Sequence, residues 1–152
     1  MVNWMEVKEV KELKKKKKKS KDIISKAKKK TAIARALIQK GTGVIRINKI
    51  NLEAMQPKYL YDLIKEPVDI AKPLSDEVDI FVNVQGGGFM GQAVSVRSAI
   101  AKALLKYHQP NEKLKQAFLK YDRLLLVDDP RRIESKKPLG TKARKKKQKS
   151  KR

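Results

Sequence analysis

Three adjacent glycines, Gly86, Gly87 and Gly88, stand between a predicted strand and a predicted long helix. In this arrangement backbone N–H groups and the helix N-terminus can hold a phosphate group. A nucleotide-binding enzyme normally adds a Lys-Ser/Thr pair or a metal-binding acid. The residues that follow supply neither: they are Phe89, Met90, Gly91 and Gln92. The pattern therefore favours either a tight turn that lets the helix pack close to the strand, or contact with a phosphate of RNA, over a small-nucleotide enzyme.

Other residues that carry chemistry are few. The chain has no cysteine, which excludes disulfides, thiolate metal sites and cysteine catalysis. Its one histidine, His108, stands at the end of the long predicted helix and has no partner cluster. Asp76, Glu77 and Asp79 lack the regular oxygen spacing of a calcium loop, so they predict a solvated loop. We expect no catalytic residue, no metal and no cofactor.

Charge is the strongest signal in the chain. The net charge is +23, of which residues 1–30 carry +9 and residues 131–152 carry +11. The middle of the chain, residues 31–130, carries only +3. A solubilising role would explain one lysine run. Two basic ends that flank a near-neutral body favour a polyanionic partner.

The C-terminal tail, residues 131–152, contains 12 lysines and arginines and one acid, Glu134. After Leu139 it has no large apolar side chain, so it cannot bury a hydrophobic face. Fully extended, its 22 residues would reach roughly 70 Å. We predict an extended arm that becomes ordered on nucleic acid.

Residues 1–27 predict a basic, disordered N-terminal extension with six consecutive lysines at 14–19. Before that run, Val7, Val10 and Leu13 recur every three residues, each preceded by a glutamate. The spacing is compatible with a short amphipathic helix, although six adjacent like charges oppose its extension. Trp4 either docks on a neighbour or is exposed.

Residues 28–130 predict one globular α+β domain, a mostly four-stranded sheet with helices on one face. The first two strands, 31–38 and 44–48, are expected to form a hairpin through Gly41 and Gly43. Arg35 is a charge on an apolar strand, at an edge or directed toward a partner. Further strands are predicted at 78–84 and 124–127, and a loop at 68–75. Helices are predicted at 58–64, about 90–107 and 112–121, and a short one from Leu52 capped by Asn51. In the long helix, Ser95, Ser98, Lys102 and Lys106 are placed opposite the apolar face.

No run of about 18 apolar residues is present, so no transmembrane helix is expected. The N-terminus lacks the apolar core of a signal peptide. These features predict a cytosolic protein, and nothing in the pattern predicts a homo-oligomer.

Several motifs in order resemble the ninth protein of the small ribosomal subunit, in its archaeal or eukaryotic form. They are Gly86-Gly-Gly-x-x-Gly91-Gln92-x-x-Ser95, Ala99-x-Ala101-Lys102-Ala103-Leu104, Lys28-Lys-Lys-Thr-Ala-Ile-Ala-Arg-Ala36, Asp129-Pro-Arg-Arg132, Glu134-x-Lys136-Lys137, Lys142-Ala-Arg-Lys145 and Ser150-Lys151-Arg152. The resemblance covers about residues 26–152. Residues 1–25 have no counterpart in it. Lys151 stands where archaeal and eukaryotic members usually have tyrosine.

The resemblance implies a non-enzymatic protein of the cytoplasmic ribosome, with a fold shared with GHMP-type kinases. It implies a body bound to rRNA in the subunit head, next to other head proteins, and a tail whose end contacts the anticodon stem-loop of peptidyl-site tRNA. The rRNA-binding residues expected on this basis are Lys28, Lys29, Lys30, Arg35, Gly86, Gly87, Gly88, Gln92, Arg97, Arg131, Arg132, Lys136, Lys137, Lys142, Arg144, Lys145, Lys146 and Lys147. The tRNA-binding residues expected are Lys149, Ser150, Lys151 and Arg152.

Two other hypotheses remain. A kinase-like enzyme would use the glycine turn, but it needs the lysine or acid that the turn lacks. A general basic nucleic-acid-binding protein outside the ribosome would bind duplex DNA and structured RNA equally well.

Overall fold

The computed structural model describes residues 22–145. Its strands are β1 (Ile23–Lys29), β2 (Ala32–Lys40), β3 (Ile45–Ile47), β4 (Ile50–Asn51) and β5 (Val78–Gln85). Its α-helices are α1 (Lys58–Ile70), α2 (Phe89–Tyr107) and α3 (Glu112–Tyr121). Three short 3-10 helices lie at Leu52–Ala54, Leu74–Glu77 and Arg123–Leu125. The part of the N-terminal extension before residue 22, and the tail beyond residue 145, lie outside the described residues.

The strands form one five-stranded sheet in the order β1-β2-β5-β3-β4. β1 is antiparallel to β2, β2 is antiparallel to β5, and β3 is parallel to β5. The predicted hairpin between the strands now named β2 and β3 is therefore wrong, because β5 lies between them. The turn through Gly43, whose φ is +88°, instead takes the chain from β2 on one side of β5 to β3 on the other side.

The true hairpin joins β1 and β2 through Lys30 and Thr31, and Lys30 has a φ of 55°. β1 begins at Ile23, inside the segment predicted as a disordered extension, so the sheet starts about five residues before the predicted boundary. Burial alternates along β1 with a period of two, but the buried residues Ser25 and Ala27 are small and the exposed ones include lysines. The sequence therefore shows no clear alternation of apolar and polar residues there.

Helices cover one face of the sheet, as predicted. Four small or branched residues of β2 face α2, and each is fully buried: Ala32, Ala34, Ala36 and Ile38. Alanine leaves room for α2 to lie close to the sheet, and α1 packs against α2. Burying these apolar side chains is the main stabilisation of the body.

Three predicted elements differ in the structure. α1 continues through Pro67 to Ile70, where a loop was expected. Proline has no N–H and so costs the helix one backbone hydrogen bond, and the burial of Pro67 and Val68 offsets that cost. The predicted strand at 124–127 is a 3-10 helix, held by the Asp122 carboxylate, which accepts a hydrogen bond from the Leu124 N–H at 2.8 Å. Asn51 makes no side-chain cap.

The predicted polar face of α2 is also partly wrong. Ser95 and Ser98 are buried, and hydrogen bonds from their hydroxyls to backbone carbonyls offset the cost of that burial. Ser95 donates to Gly91 at 2.8 Å and Ser98 donates to Leu124 at 2.9 Å. The helical pattern assigned these serines to the polar face because serine is a polar residue, although a serine whose hydroxyl bonds to the backbone can be buried.

The opposite face of the sheet, here called the open face, carries alternate residues of β1, β2, β3 and β5. Within residues 22–145 no helix packs on it. Its members are Ile24, Lys26, Lys28, Ile33, Arg35, Leu37, Gln39, Arg46, Asp79, Phe81, Asn83 and Gln85.

Candidate nucleic-acid interface

The glycine turn packs against the β1–β2 hairpin. A Cβ on Gly86 would lie 2.5 Å from the carbonyl oxygen of Thr31, and one on Gly87 would lie 3.1 Å from Ala32. Both glycines have positive φ, at +78° and +68°. Their identity is therefore required by the turn itself, as the structural interpretation of the motif predicts.

Gly88 is different, because a Cβ there would meet no atom within 4 Å. It is the N-cap of α2 and supplies no capping side chain. The N–H groups of the first helical turn thus have no side-chain cap and face an open surface. Gln92 supports the turn, since its amide nitrogen donates to the Gly86 carbonyl at 3.1 Å.

Three predicted cations lie on the hairpin that touches this turn. Lys28 and Lys30 are exposed, whereas Lys29 is partly buried. Burial lowers the pKa of Lys29, and the positive charges of Arg131 and Lys30 act in the same direction. The Asp129 carboxylate contacts the Lys29 ammonium and supplies its countercharge.

Two aspartates hold the start of the tail against the body. Asp128 pairs with Lys102 of α2 at 2.5 Å, and Asp129 pairs with Lys29 of β1. Asp129 also accepts from the backbone N–H of Arg131 at 2.8 Å and from its guanidinium at 2.7 Å. The Asp129 side chain is only 5% exposed. The tail therefore leaves the body in a defined direction, beside the hairpin and the glycine turn.

The described part of the tail presents its cations to solvent. Residues 131–139 are all exposed, as are Lys142, Arg144 and Lys145. One ion pair lies within it, between Arg144 and Glu134 at 2.9 Å. Such an exposed pair contributes little to stability. The predicted residues Lys146, Lys147, Lys149, Ser150, Lys151 and Arg152 lie outside the described residues.

Two predicted RNA-binding arginines do not join this cluster. Arg35 lies in the middle of the open face. Arg97 lies inside the body, 11% exposed, with Nε 2.7 Å from Glu66 and Nη1 2.9 Å from Asp122. It links α1, α2 and the end of α3, so its contacts are those of a structural residue.

Sequence reasoning quoted Asp129 and Lys102 within motifs but assigned no anchoring role to them or to Asp128. The signal available for the two aspartates was an acidic pair directly before Pro130 and the basic tail. Sequence reasoning also missed the cations Lys26, Arg46 and Lys49, which flank Arg35 on the open face. Lys26 belongs to a strand that was not predicted. Arg46 of β3 lies near Arg35 of β2 because both strands pair with β5, one on each side.

No group of three or more His, Asp or Glu residues that could hold a metal occurs within the described residues 22–145. Among the helices of this same region, none has the length and apolar character needed to cross a membrane.

Comparison with known proteins places the chain. Residues 27–152 match the family model described as ribosomal protein S9/S16. A relative from Pyrobaculum aerophilum, named small ribosomal subunit protein uS9, is 48% identical over 128 residues, which is 84% of this chain and 89% of the relative. Relatives of the same name from Thermoplasma volcanium and Methanothrix thermoacetophila are 45% and 47% identical over 84% and 86% of this chain, and 96% and 98% of their own lengths.

The resemblance drawn from the motifs is thereby confirmed. The glycine turn and the start of the tail, which the structure brings together, both lie inside the matched residues. The chain belongs to the ribosomal protein S9/S16 family.

Proposed function

We propose that this protein is a non-enzymatic structural constituent of the small ribosomal subunit, with a body and a tail that bind rRNA. The observation that carries the proposal is the junction of the glycine turn, the lysine hairpin and the anchored tail on one side of the body. Its relatives are named as small-subunit proteins, which supports the same role.

In the proposed mechanism, the folded body sets the position of the protein on the rRNA, and its cations bind the phosphates. Lysines and arginines that contact phosphates release counterions, which gives affinity that does not depend on base sequence. Gly88 and the uncapped first turn of α2 offer backbone N–H groups to a phosphate. The β1–β2 hairpin that packs on the glycine turn adds two exposed cations, Lys30 in its turn and Lys28 on the open face. Arg131 and Arg132 then direct the tail along the RNA, and arginine can grip two phosphate oxygens.

The proposed rRNA-binding residues are those of the junction and the tail: Lys28, Lys29, Lys30, Gly88, Arg131, Arg132, Lys136, Lys137, Lys142, Arg144, Lys145, Lys146 and Lys147. Gly86, Gly87 and Gln92 shape the turn. We place the body in the subunit head, beside other head proteins, with the fold shared with GHMP-type kinases. The last residues, 149–152, contact peptidyl-site tRNA phosphates.

The first experiment follows the tagged full-length protein through sedimentation of cell lysate at moderate and then high salt. We expect it to travel with the small subunit through the salt wash. A double variant, Lys28→Glu with Lys30→Glu, should be lost from the subunit at lower salt. The matched control is Lys113→Glu with Lys115→Glu, which makes the same charge change on exposed positions of α3.

Equal loss in both variants would mean that only total charge matters. That result, or wild-type protein that stays at the top of the gradient or follows DNA, would support the rival function, a general nucleic-acid-binding protein outside the ribosome.

The tRNA contact is tested separately by deleting residues 149–152. Assembly should be unchanged, whereas the dissociation rate of peptidyl-site tRNA from the subunits should rise. Unchanged dissociation from fully assembled subunits would contradict the assignment of these residues.

A further inference from the structure

The open face holds a hollow of about 740 Å³ with an apolar floor. Ile24, Leu37 and Phe81 lie side by side across three strands, because the register pairs Ile24 with Leu37 and Leu37 with Phe81. Ile24 is 62% exposed. Leu37 and Phe81 are half-buried, so the row is partly exposed. A partly exposed apolar row on a sheet face, with no helix of residues 22–145 over it, fits a surface that another segment covers.

Cations surround this row. Lys26 and Arg35 pair in the next row along the sheet, while Arg46 pairs with Phe81 and Lys49 lines the same hollow. None of these four forms an ion pair with any described residue between 22 and 145. Asp79, an acid on the open face, already accepts hydrogen bonds from backbone N–H groups of the turn before β3. The hollow therefore fits a segment with apolar side chains and carboxylates.

The chain itself contains a segment of that chemistry. Trp4, Val7, Val10 and Leu13 recur every three residues, and Glu6, Glu9 and Glu12 directly precede the last three of them. With Lys8 and Lys11 the side chains of residues 1–13 carry a net charge of −1, opposite in sign to the cations of the open face. Any backbone that turns once in three to four residues would collect these apolar side chains on one side. Nothing in the proposed ribosomal function uses this segment.

The linker is long enough. Residues 14–21 span about 26 Å when extended, whereas β1 and β3 are three strand spacings apart, about 14 Å. The chain also enters β1 on this side, since Asp22 accepts a hydrogen bond from Gln39 of the open face at 2.9 Å. The alignment with the Methanothrix relative spans 98% of that protein but only 86% of this chain, and the family match begins at residue 27. The segment is thus additional to the matched domain.

We propose that residues 1–13 dock on the open face of their own chain. Trp4, Val7 and Val10 fill the hollow over Ile24, Leu37 and Phe81. The glutamates pair with Lys26, Arg35 and Arg46. An RNA occupant is disfavoured because the floor of the hollow is apolar, and in the proposal Arg35 binds this segment instead of rRNA.

Trp4 makes the test direct, because it is the only tryptophan in the chain. In the purified full-length protein we expect acrylamide quenching of its fluorescence to be at least threefold weaker than in a peptide of residues 1–13. Arg35→Glu with Arg46→Glu should restore quenching to the level of the peptide, whereas Lys113→Glu with Lys115→Glu should not. Adding Glu6→Lys and Glu9→Lys to the first variant should recover the protection.

Equal quenching of Trp4 in the protein and the peptide would overturn the proposal. So would protection that the Arg35→Glu, Arg46→Glu variant leaves unchanged, because Trp4 would then dock elsewhere, or protection that appears only when rRNA or a partner protein is added.

A second measurement does not depend on the charge variants. Because the chain has no cysteine, Val7→Cys with Leu37→Cys should form an internal disulfide at least tenfold faster under mild oxidation than Val7→Cys with Lys113→Cys. Equal rates would also overturn the proposal.

Discussion

The ammonium of Lys29 contacts the carboxylate of Asp129, one hundred residues further along the chain. The contact joins the hairpin turn at the start of the sheet to the point where the basic tail leaves the body. Asp129 binds Arg131 as well, so one buried carboxylate sets both the position and the direction of the tail.

Asp129→Asn separates positioning from charge. The substitution raises the net charge by one, so charge alone predicts slightly tighter binding to any nucleic acid. Because it weakens the anchor, we expect affinity for small-subunit rRNA to fall about tenfold while affinity for duplex DNA stays equal or rises. Competition binding at fixed salt measures the ratio of the affinity for small-subunit rRNA to the affinity for duplex DNA.

The matched control is Glu134→Gln, which makes the same charge change in the exposed tail without touching the anchor. If both variants bind rRNA more tightly, the anchor has no role in recognition.

The glycine turn yields opposite predictions for two neighbouring residues. Gly86→Ala should lower the free energy of unfolding by about 2 kcal/mol, because the position combines positive φ with a clash against Thr31. Gly88→Ala should cost less than about 1 kcal/mol, since its surroundings are open and only the preference for glycine over alanine at an N-cap is lost. If phosphate approaches the backbone there, Gly88→Ala should still weaken rRNA binding severalfold. Urea denaturation and rRNA binding, measured on both variants, check this, and unchanged rRNA affinity in Gly88→Ala would remove the turn from the interface.

Arg97→Ala should act on stability and not on RNA affinity. The substitution leaves Glu66 and Asp122 without their cation, and we expect a loss of about 2 kcal/mol, since the ion pairs are only partly buried. Arg97→Lys should recover part of it. Urea denaturation measures the loss. A stable Arg97→Ala protein with weakened rRNA binding would instead support the role expected from the family resemblance.

Local patterns in the sequence were sufficient for much of the fold. The long helix α2, the helix α3 and the strand β5 were predicted because their apolar periods are clear and their ends carry turn residues. The family was recognised from motifs at the glycine turn and the tail. Both lie in the residues that the structure brings together.

The errors have a common cause: the elements concerned depend on contacts between residues far apart in the chain. Two strands joined by a glycine turn usually form a hairpin. Here β5, which begins 31 residues after β3 ends, lies between β2 and β3, an order that no local pattern encodes. β1 was missed because its outward residues are lysines, and only its pairing with β2 makes it a strand. The contacts of Asp129 and Arg97 likewise depend on tertiary placement.

Asp79 predicts a pH dependence of stability. Its carboxylate accepts hydrogen bonds from the N–H groups of Thr42 at 2.8 Å and Val44 at 3.0 Å, and it occupies the space that a Cβ on Gly41 would need. Hydrogen bonds from the backbone of Val44 and then Thr42 hold the pKa of Asp79 below its ordinary value. Asp79→Ala should therefore cost about 1 kcal/mol at neutral pH.

The sign of the pH effect follows from that lowered pKa. The stabilisation is fully present above the pKa of the unfolded chain, about 3.9, and is lost as pH falls through the lower pKa of the folded state. The stability difference between the wild type and Asp79→Asn should thus be constant from pH 7 to about pH 5 and shrink below pH 4. Urea denaturation across this range measures it, with Asp62→Asn on the exposed side of α1 as the control. A difference that grows on acidification would mean that Asp79 does not stabilise the turn as a carboxylate.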